Sequence, residues 1–239
     1  GHGLSRRRRL RQREPGAHRL RWRVGPGLPY GDYAAPAGSE FASGLSRSIE
    51  EARTAWRPDA SGVVPSETEV MARLRRAKRK VAFLTALADL ARIFTARDTT
   101  AWLSAVADAA VADAIEQLLL EGKDGGKLTL KDRANPAEGS GLIVLGMGKL
   151  GARELNYSSD IDLVIFYDPD AGILKDPDDA METYGRMMRR LVRILQERTA
   201  DGYVFRTDLR LRPDPGSTPL AVPVEAALIY YEGRGQNWE

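Results

Sequence analysis

The chain contains no cysteine and only two histidines. Without cysteine there is neither a disulfide framework nor a thiolate metal site. His2 and His18 both fall in an irregular N-terminal stretch, so histidine acid–base chemistry and histidine metal ligation are nearly excluded. Long apolar runs are missing too: none approaches the roughly 20 residues of a membrane-spanning helix. A soluble, cytoplasmic protein with no membrane partner is the expectation. Any catalysis must then rest on carboxylates, lysine, arginine, hydroxyls and a bound metal. A basic surface is also absent from the body of the chain, although the formal net charge is +3. Residues 1–24 hold nine arginines and one glutamate, which leaves the remainder at −5. The positive balance belongs to a tail that reads as a disordered arm. No heptads or zinc-ligand spacing support a nucleic-acid tether, and nucleic acid is not an expected partner. The opening Gly-His-Gly, without methionine, suggests a fragment or a misassigned start.

What is present is 239 residues with 43% hydrophobic content, enough for one large domain or two small ones. The stretch from Gly141 to Tyr167 organises them. It reads as strand, glycine turn, short helix, strand. Leu142 to Leu145 has buried-strand length. Gly146, Gly148 and Gly151 bend the backbone and leave it uncovered. Lys149 to Leu155 is expected as a short helix whose free N–H groups suit an anion. Ser158-Ser159 closes it, and Asp160-Ile161-Asp162 opens the second strand. Alternation puts Asp160 and Asp162 on one face and Ile161 and Leu163 in the core. Two carboxylates side by side repel, and a hard divalent cation is the usual reason to hold them together. A phosphate cradle followed by paired carboxylates is the equipment of phosphoryl or nucleotidyl transfer.

Residues 1–60 are expected to be irregular, with at most a short helix from Ile49 to Trp56. Ser66 with Glu69 makes a capping box for a long helix. Its apolar stripe is Met71, Leu74, Val81, Leu84, Ala88, Ala91 and Phe94, and its charged face, Arg73 to Lys80, reads as solvated. A second helix starts at Thr99 or Thr100 and ends near Leu120, giving a helical region over 61–122. Asp179 is expected to cap a third helix with Met181, Tyr184, Met188, Leu191, Val192 and Leu195 inward. Tyr203 to Arg212 alternates like a strand, with Arg206, Asp208, Arg210 and Arg212 on one face. Beside an Asp-x-Asp site, Asp208 becomes a third metal ligand flanked by phosphate-binding arginines.

Gly146-x-Gly148-x-x-Gly151 also satisfies a dinucleotide-binding fingerprint, with Asp168 placed as a ribose-binding acid. An oxidoreductase fragment is therefore the rival. The extra acids at the start of the second strand and the short downstream chain weigh against it. A nucleotide-sensing or partner-docking module without turnover is the alternative from the binding class.

At Gly-Met-Gly-Lys-Leu-Gly151, at Arg153-Glu-Leu-Asn-Tyr-Ser-Ser-Asp-Ile-Asp-Leu163 and at Phe205-Arg-Thr-Asp-Leu-Arg-Leu-Arg-Pro213 the chain resembles the bifunctional glutamine synthetase adenylyltransferase/adenylyl-removing enzyme family. The likeness continues through Gly216 to Leu220 and Tyr230-Tyr231 to Trp238, and back to Ser66. It implies an α+β fold: a polymerase-β-like nucleotidyltransferase domain over 141–239, cut short at its C-terminus and preceded by helices. The Arg153–Asp162 run is closer to the adenylyl-removing half. That half would remove AMP from a tyrosine of glutamine synthetase by phosphorolysis and release ADP. The full enzyme would also attach AMP from ATP under a PII-type signal protein and glutamine. Asp160, Asp162 and Asp208 would then hold two Mg²⁺ ions. Gly146, Gly148, Lys149 and Gly151 would hold nucleotide phosphates, with Ser158 or Ser159 as a further donor. Arg210 or Arg212 would neutralise charge at the transferred phosphorus.

Overall fold

A computed structural model describes residues 40–59 and 61–234. The arginine-rich tail and the motif end at Gly235 to Trp238 lie outside the described residues. The first helix, α1 (Glu40–Arg53), overturns the expectation of irregular chain up to residue 60. Its stripe of Leu45, Ile49 and Ala52, with Phe41 partly buried, recurs at helical spacing inside a glycine- and serine-containing context. Helix α2 (Glu67–Leu90) begins at Ser66, whose hydroxyl accepts from the Glu69 N–H at 3.3 Å. Only that half of the capping box forms, because the Glu69 carboxylate pairs with Arg73 instead. The helix stops earlier than the apolar stripe suggested: Ala91 is its exposed cap, and Phe94 packs from the turn beyond.

Helix α3 (Ala96–Asp124) starts at Thr95, where a reciprocal capping box with Asp98 forms. It runs past Leu120 to a Gly125 cap and is buried on nearly every side. An apolar surface all round marks a helix enclosed by its neighbours. It packs against α1 and α2 on one side and later elements on the other.

The sheet follows. Strand β1 (Leu142–Met147) leads through α4 (Gly148–Gly151) into β2 (Ile161–Tyr167), which pairs with β1 antiparallel along its whole length. Helix α5 (Ala180–Gln196) then packs back onto α3. Asp179 precedes α5 but makes no side-chain cap; its carboxylate is 3.1 Å from Lys127 Nζ. Met181, expected inward, is exposed, and Met187 and Ile194 take buried places on that face. Strand β3 (Thr207–Asp208) and strand β4 (Val222–Pro223) both run parallel to β2, at its start and its end. Helix α6 (Val224–Gly233) closes the described chain.

The odd-numbered residues Ile161, Leu163 and Ile165 enter the large core shared with the helices. Val164 and Phe166 face a smaller cluster with Val222 and Ala227. Asp162 therefore shares its face with that smaller cluster, away from α3. The result is an α+β arrangement with a small mixed sheet. Among the described residues no helix is long and apolar enough to cross a membrane.

Arg75, expected on a solvated face, is fully buried. Its guanidinium donates to the carbonyls of Met71, Ile194, Glu197 and Gly202. These cover carbonyls at the end of α5, which a helix terminus leaves without partners of its own. The neighbouring carbonyl of Leu195 accepts from the N–H groups of Val204 and Phe205. Gln196 Oε1 accepts from Thr207 N and Oγ1 at 3.3 and 3.1 Å. A side chain from α2 thus fixes the helix end from which β3 departs.

Candidate active site

The site begins where β1 ends. Met147 stands opposite Asp162 in the β1–β2 register, so the following glycine turn closes over that carboxylate. Gly148 has φ +51°, and a Cβ on it would lie 2.5 Å from Asp162 Oδ2. A Cβ on Gly151 would lie 2.5 Å from the Gly146 carbonyl. These two glycines allow approaches that no other residue permits. The expected helix from Lys149 to Leu155 shortens to α4, four residues long. It ends in a Schellman turn: Arg153 N–H donates to Leu150 O at 3.1 Å and Glu154 N–H to Lys149 O at 2.8 Å. Arg153 takes the left-handed position at φ +63°, where glycine is usual and another residue costs about 1–2 kcal/mol.

Asp162 is the register partner of Asp208 across the parallel β2–β3 pair. Asp160 precedes β2 by one residue. Burial, then the charges of Asp208 and Asp160, raise the Asp162 carboxyl above its usual range, opposed by Arg210 and Lys149. Asp160 Oδ1 is 2.5 Å from Arg206 Nε, and Arg206 also donates to the Ser158 carbonyl at 3.0 Å. The Arg210 Nε lies 3.0 and 2.9 Å from the two Asp208 oxygens, and the Arg210 N–H donates to Asp208 Oδ1 at 2.9 Å. Those bonds hold Asp208 below the usual carboxylate range. Among the described residues no three carboxylate, histidine or cysteine groups converge as a ready cation cage. The donor types nevertheless suit a hard cation: Asp162 and Asp208 stand side by side on adjacent strands, and Asp160 is near enough for its charge to act on Asp162. Arg206 and Arg210 are mostly exposed, so exchanging their exposed ion pairs for a cation costs little.

The remaining expected site residues divide. Lys149 is exposed beside Asp162, on which its charge acts. Ser158 offers its carbonyl to Arg206, and the Ser159 hydroxyl donates to Asn156 Oδ1 at 2.8 Å. Arg212 turns away: it donates to the carbonyls of Leu209, Pro215 and Thr218 and braces the loop. The Tyr203–Arg212 strand is only two residues long, because Asp208 folds the chain back onto Arg210. Val204 and Phe205 are consequently both buried. Arg206, expected only as one of the arginines flanking Asp208, pairs with Asp160. Asp108 and Ser104 on α3, which reach Arg153 and Leu155, had no sequence signal.

Antiparallel pairing of β1 and β2 removes the dinucleotide rival. That fold needs a parallel strand–helix–strand crossover with the pyrophosphate on the helix N-terminus, and here a four-residue turn joins antiparallel neighbours. Comparison with known families points the other way. Residues 43–239 match the family described as glutamate-ammonia ligase adenylyltransferase. The chain belongs to that family. The bifunctional glutamine synthetase adenylyltransferase/adenylyl-removing enzyme of Agrobacterium fabrum is 72% identical over 195 residues, covering 82% of this chain and 20% of the relative. Its counterpart in Rhizobium meliloti is 67% identical over the same length and shares. The Brucella suis protein of that name is 59% identical over 182 residues, 75% of this chain and 18% of the relative. The chain spans about one fifth of the length of these curated relatives.

Proposed function

We propose that this chain is the adenylyl-removing nucleotidyltransferase module of a glutamine synthetase regulator. On this reading residues 141–239 form a polymerase-β-like catalytic domain and 61–122 its helical platform, in the cytoplasm. The relatives' names support the target and the chemistry. The likeness of Arg153 to Asp162 to the adenylyl-removing half supports the direction. The observation that carries the proposal is the placement of Asp162 and Asp208 abreast on adjacent strands, under Gly148.

The substrate would be a tyrosine of glutamine synthetase carrying AMP. An oxygen of inorganic phosphate attacks the AMP phosphorus and the bond to the tyrosyl oxygen breaks. The electron pair leaves with that oxygen, which takes up a proton, and ADP is released. Asp160, Asp162 and Asp208 would hold Mg²⁺, which supplies positive charge against the phosphoryl oxygens. For this Arg206 and Arg210 must release their carboxylates. Arg210, freed from Asp208, would bind a phosphate oxygen. Lys149 and the uncovered backbone at Gly146 and Gly148 would meet the nucleotide phosphates. Attachment of AMP from ATP, and response to a PII-type protein, would belong to the longer enzyme.

Titration calorimetry with ADP and ATP, with and without Mg²⁺, tests the reading on wild type and Asp162→Ala. Mg²⁺-dependent binding that the substitution abolishes supports it and leads to a deadenylylation assay. Nucleotide binding indifferent to both Mg²⁺ and Asp162 refutes it.

A further inference from the structure

We infer that Asp108 and Arg153 form a positioning pair through which α3 holds the loop between α4 and β2, and with it the carboxylates of the candidate active site. The inference rests on the metal-site reading above and deepens it.

Two of the loop's anchor points, both at its start, are on α3; its far end is held by Arg206 through the Ser158 carbonyl. Arg153 Nη1 is 2.5 Å from Asp108 Oδ2. The Leu155 N–H donates to Ser104 Oγ at 3.3 Å. Ser104 and Asp108 are one helical turn apart on the same face, and both are buried, as is Leu155. From Leu155 only four residues lead to Asp160. That segment is closed on itself by the bonds between Ser159 and Asn156. A shift at Leu155 is therefore passed to Asp160 and the start of β2.

Two features mark the pair as more than packing. Arg153 stands at the left-handed position of a Schellman turn, where glycine is the unstrained choice. The turn needs no arginine; the side chain is what the position supplies. Asp108 is buried at 3% exposure, faced by Arg153 from the loop and Arg53 from α1. Burial outweighs both cations and pushes its carboxyl up to about 7. Burying an ionised aspartate carries a desolvation cost that the paired guanidinium offsets only in part. Its ionised form holds the guanidinium that fixes the loop.

Mn²⁺ binding, read by the electron paramagnetic resonance of the free ion, tests this on the full 239-residue chain. At pH 8, Asp108→Asn is expected to weaken Mn²⁺ affinity by about tenfold, as loss of groups that orient ligands does, without lowering the melting temperature. Arg153→Gly relieves the backbone strain and removes the anchor, so it should show the same loss. The double variant should bind no worse than either single, as expected of groups acting as one unit. Wild-type affinity should fall with pH through about 7 by a component missing in Asp108→Asn. Arg153→Gly gives the reading if Asp108→Asn does not fold. Wild-type Mn²⁺ affinity in folded Asp108→Asn and Arg153→Gly overturns the inference, as does a loss that only follows melting temperature. Asp162→Asn separates the levels: unchanged Mn²⁺ binding there removes the metal site, and the inference with it. Loss there but not in the pair variants removes the inference alone.

Discussion

Gly148 lies so close to Asp162 that a Cβ on the glycine would stand 2.5 Å from the carboxylate oxygen. With φ at +51°, Gly148→Ala meets both backbone strain and a clash. It is expected to cost roughly 1–2 kcal/mol of stability from the backbone alone. Because Asp162 must move, cation affinity should fall by about tenfold or more. Thermal melting and Mn²⁺ titration of the same sample check the two effects, and wild-type affinity in the folded variant would contradict the described contact.

Arg75 is a fully buried cation that ties α2 to the end of α5. Arg75→Met keeps an apolar stem but removes the donor to the carbonyls of Ile194 and Glu197, while Gly202 keeps its bonds from Thr199. A buried acceptor left unpaired costs about 1–3 kcal/mol, so a total of roughly 2 kcal/mol or more is expected for the two. The midpoint of urea unfolding should drop accordingly. Because this helix end carries β3, cation binding through Asp208 should weaken even where the variant remains folded.

The Asp108 carboxyl sets a pH dependence of stability. Its folded value of about 7 lies above the reference of 3.8, so between these limits the folded state holds the extra proton. Its contribution to stability is therefore full in mild acid, declines as pH rises from about 4 to about 7, and is level above that. In Asp108→Asn this slope should vanish. The variant should match wild type near pH 4 and exceed it at pH 8, on the order of a few kcal/mol, since each pKa unit is about 1.4 kcal/mol. Chemical denaturation at the two pH values measures the difference, and a parallel pH profile for both proteins would refute it.

Arg210 and a cation compete for Asp208. Arg210→Ala frees a carboxylate that the guanidinium now grips through both oxygens. Mn²⁺ affinity in the absence of nucleotide is expected to rise a few-fold, in keeping with the roughly 0–1 kcal/mol of an exposed ion pair. ADP affinity in the presence of Mg²⁺ should fall, because a phosphate-binding group is lost. Titrations with each ligand separate the two, and a rise or fall of both together would contradict this dual role.

The parts of the site legible in the sequence are those built from neighbouring residues. Alternation in Asp160-Ile161-Asp162-Leu163 places the acids opposite the core, and the observed burial follows it. What was not legible depends on contacts far along the chain. Arg75 sits among basic residues and reads as solvated, whereas its carbonyl partners at Ile194, Glu197 and Gly202 lie on the far side of two helices. Tyr203 to Arg212 alternates like a strand, yet a single carboxylate, Asp208, turns the backbone at Arg210. The stripe of α1 was masked by Ser43 and Gly44, residues that weaken a helix by propensity and are overridden by packing. Arg153 offered no signal of its conformation, since arginine at that backbone angle is uncommon.

Helix α3 belongs to both halves of the molecule. Its buried residues join those of α1, α2, α5 and the inner sheet face in one continuous core, and it also grips the loop beside the carboxylates. A truncation through the loop between Asp124 and Leu142, drawn to isolate the nucleotidyltransferase motif, would bare the apolar underside of the sheet and cut away its own scaffold. Helices and sheet should accordingly melt together in one transition, and a shorter catalytic piece should be insoluble rather than merely inactive.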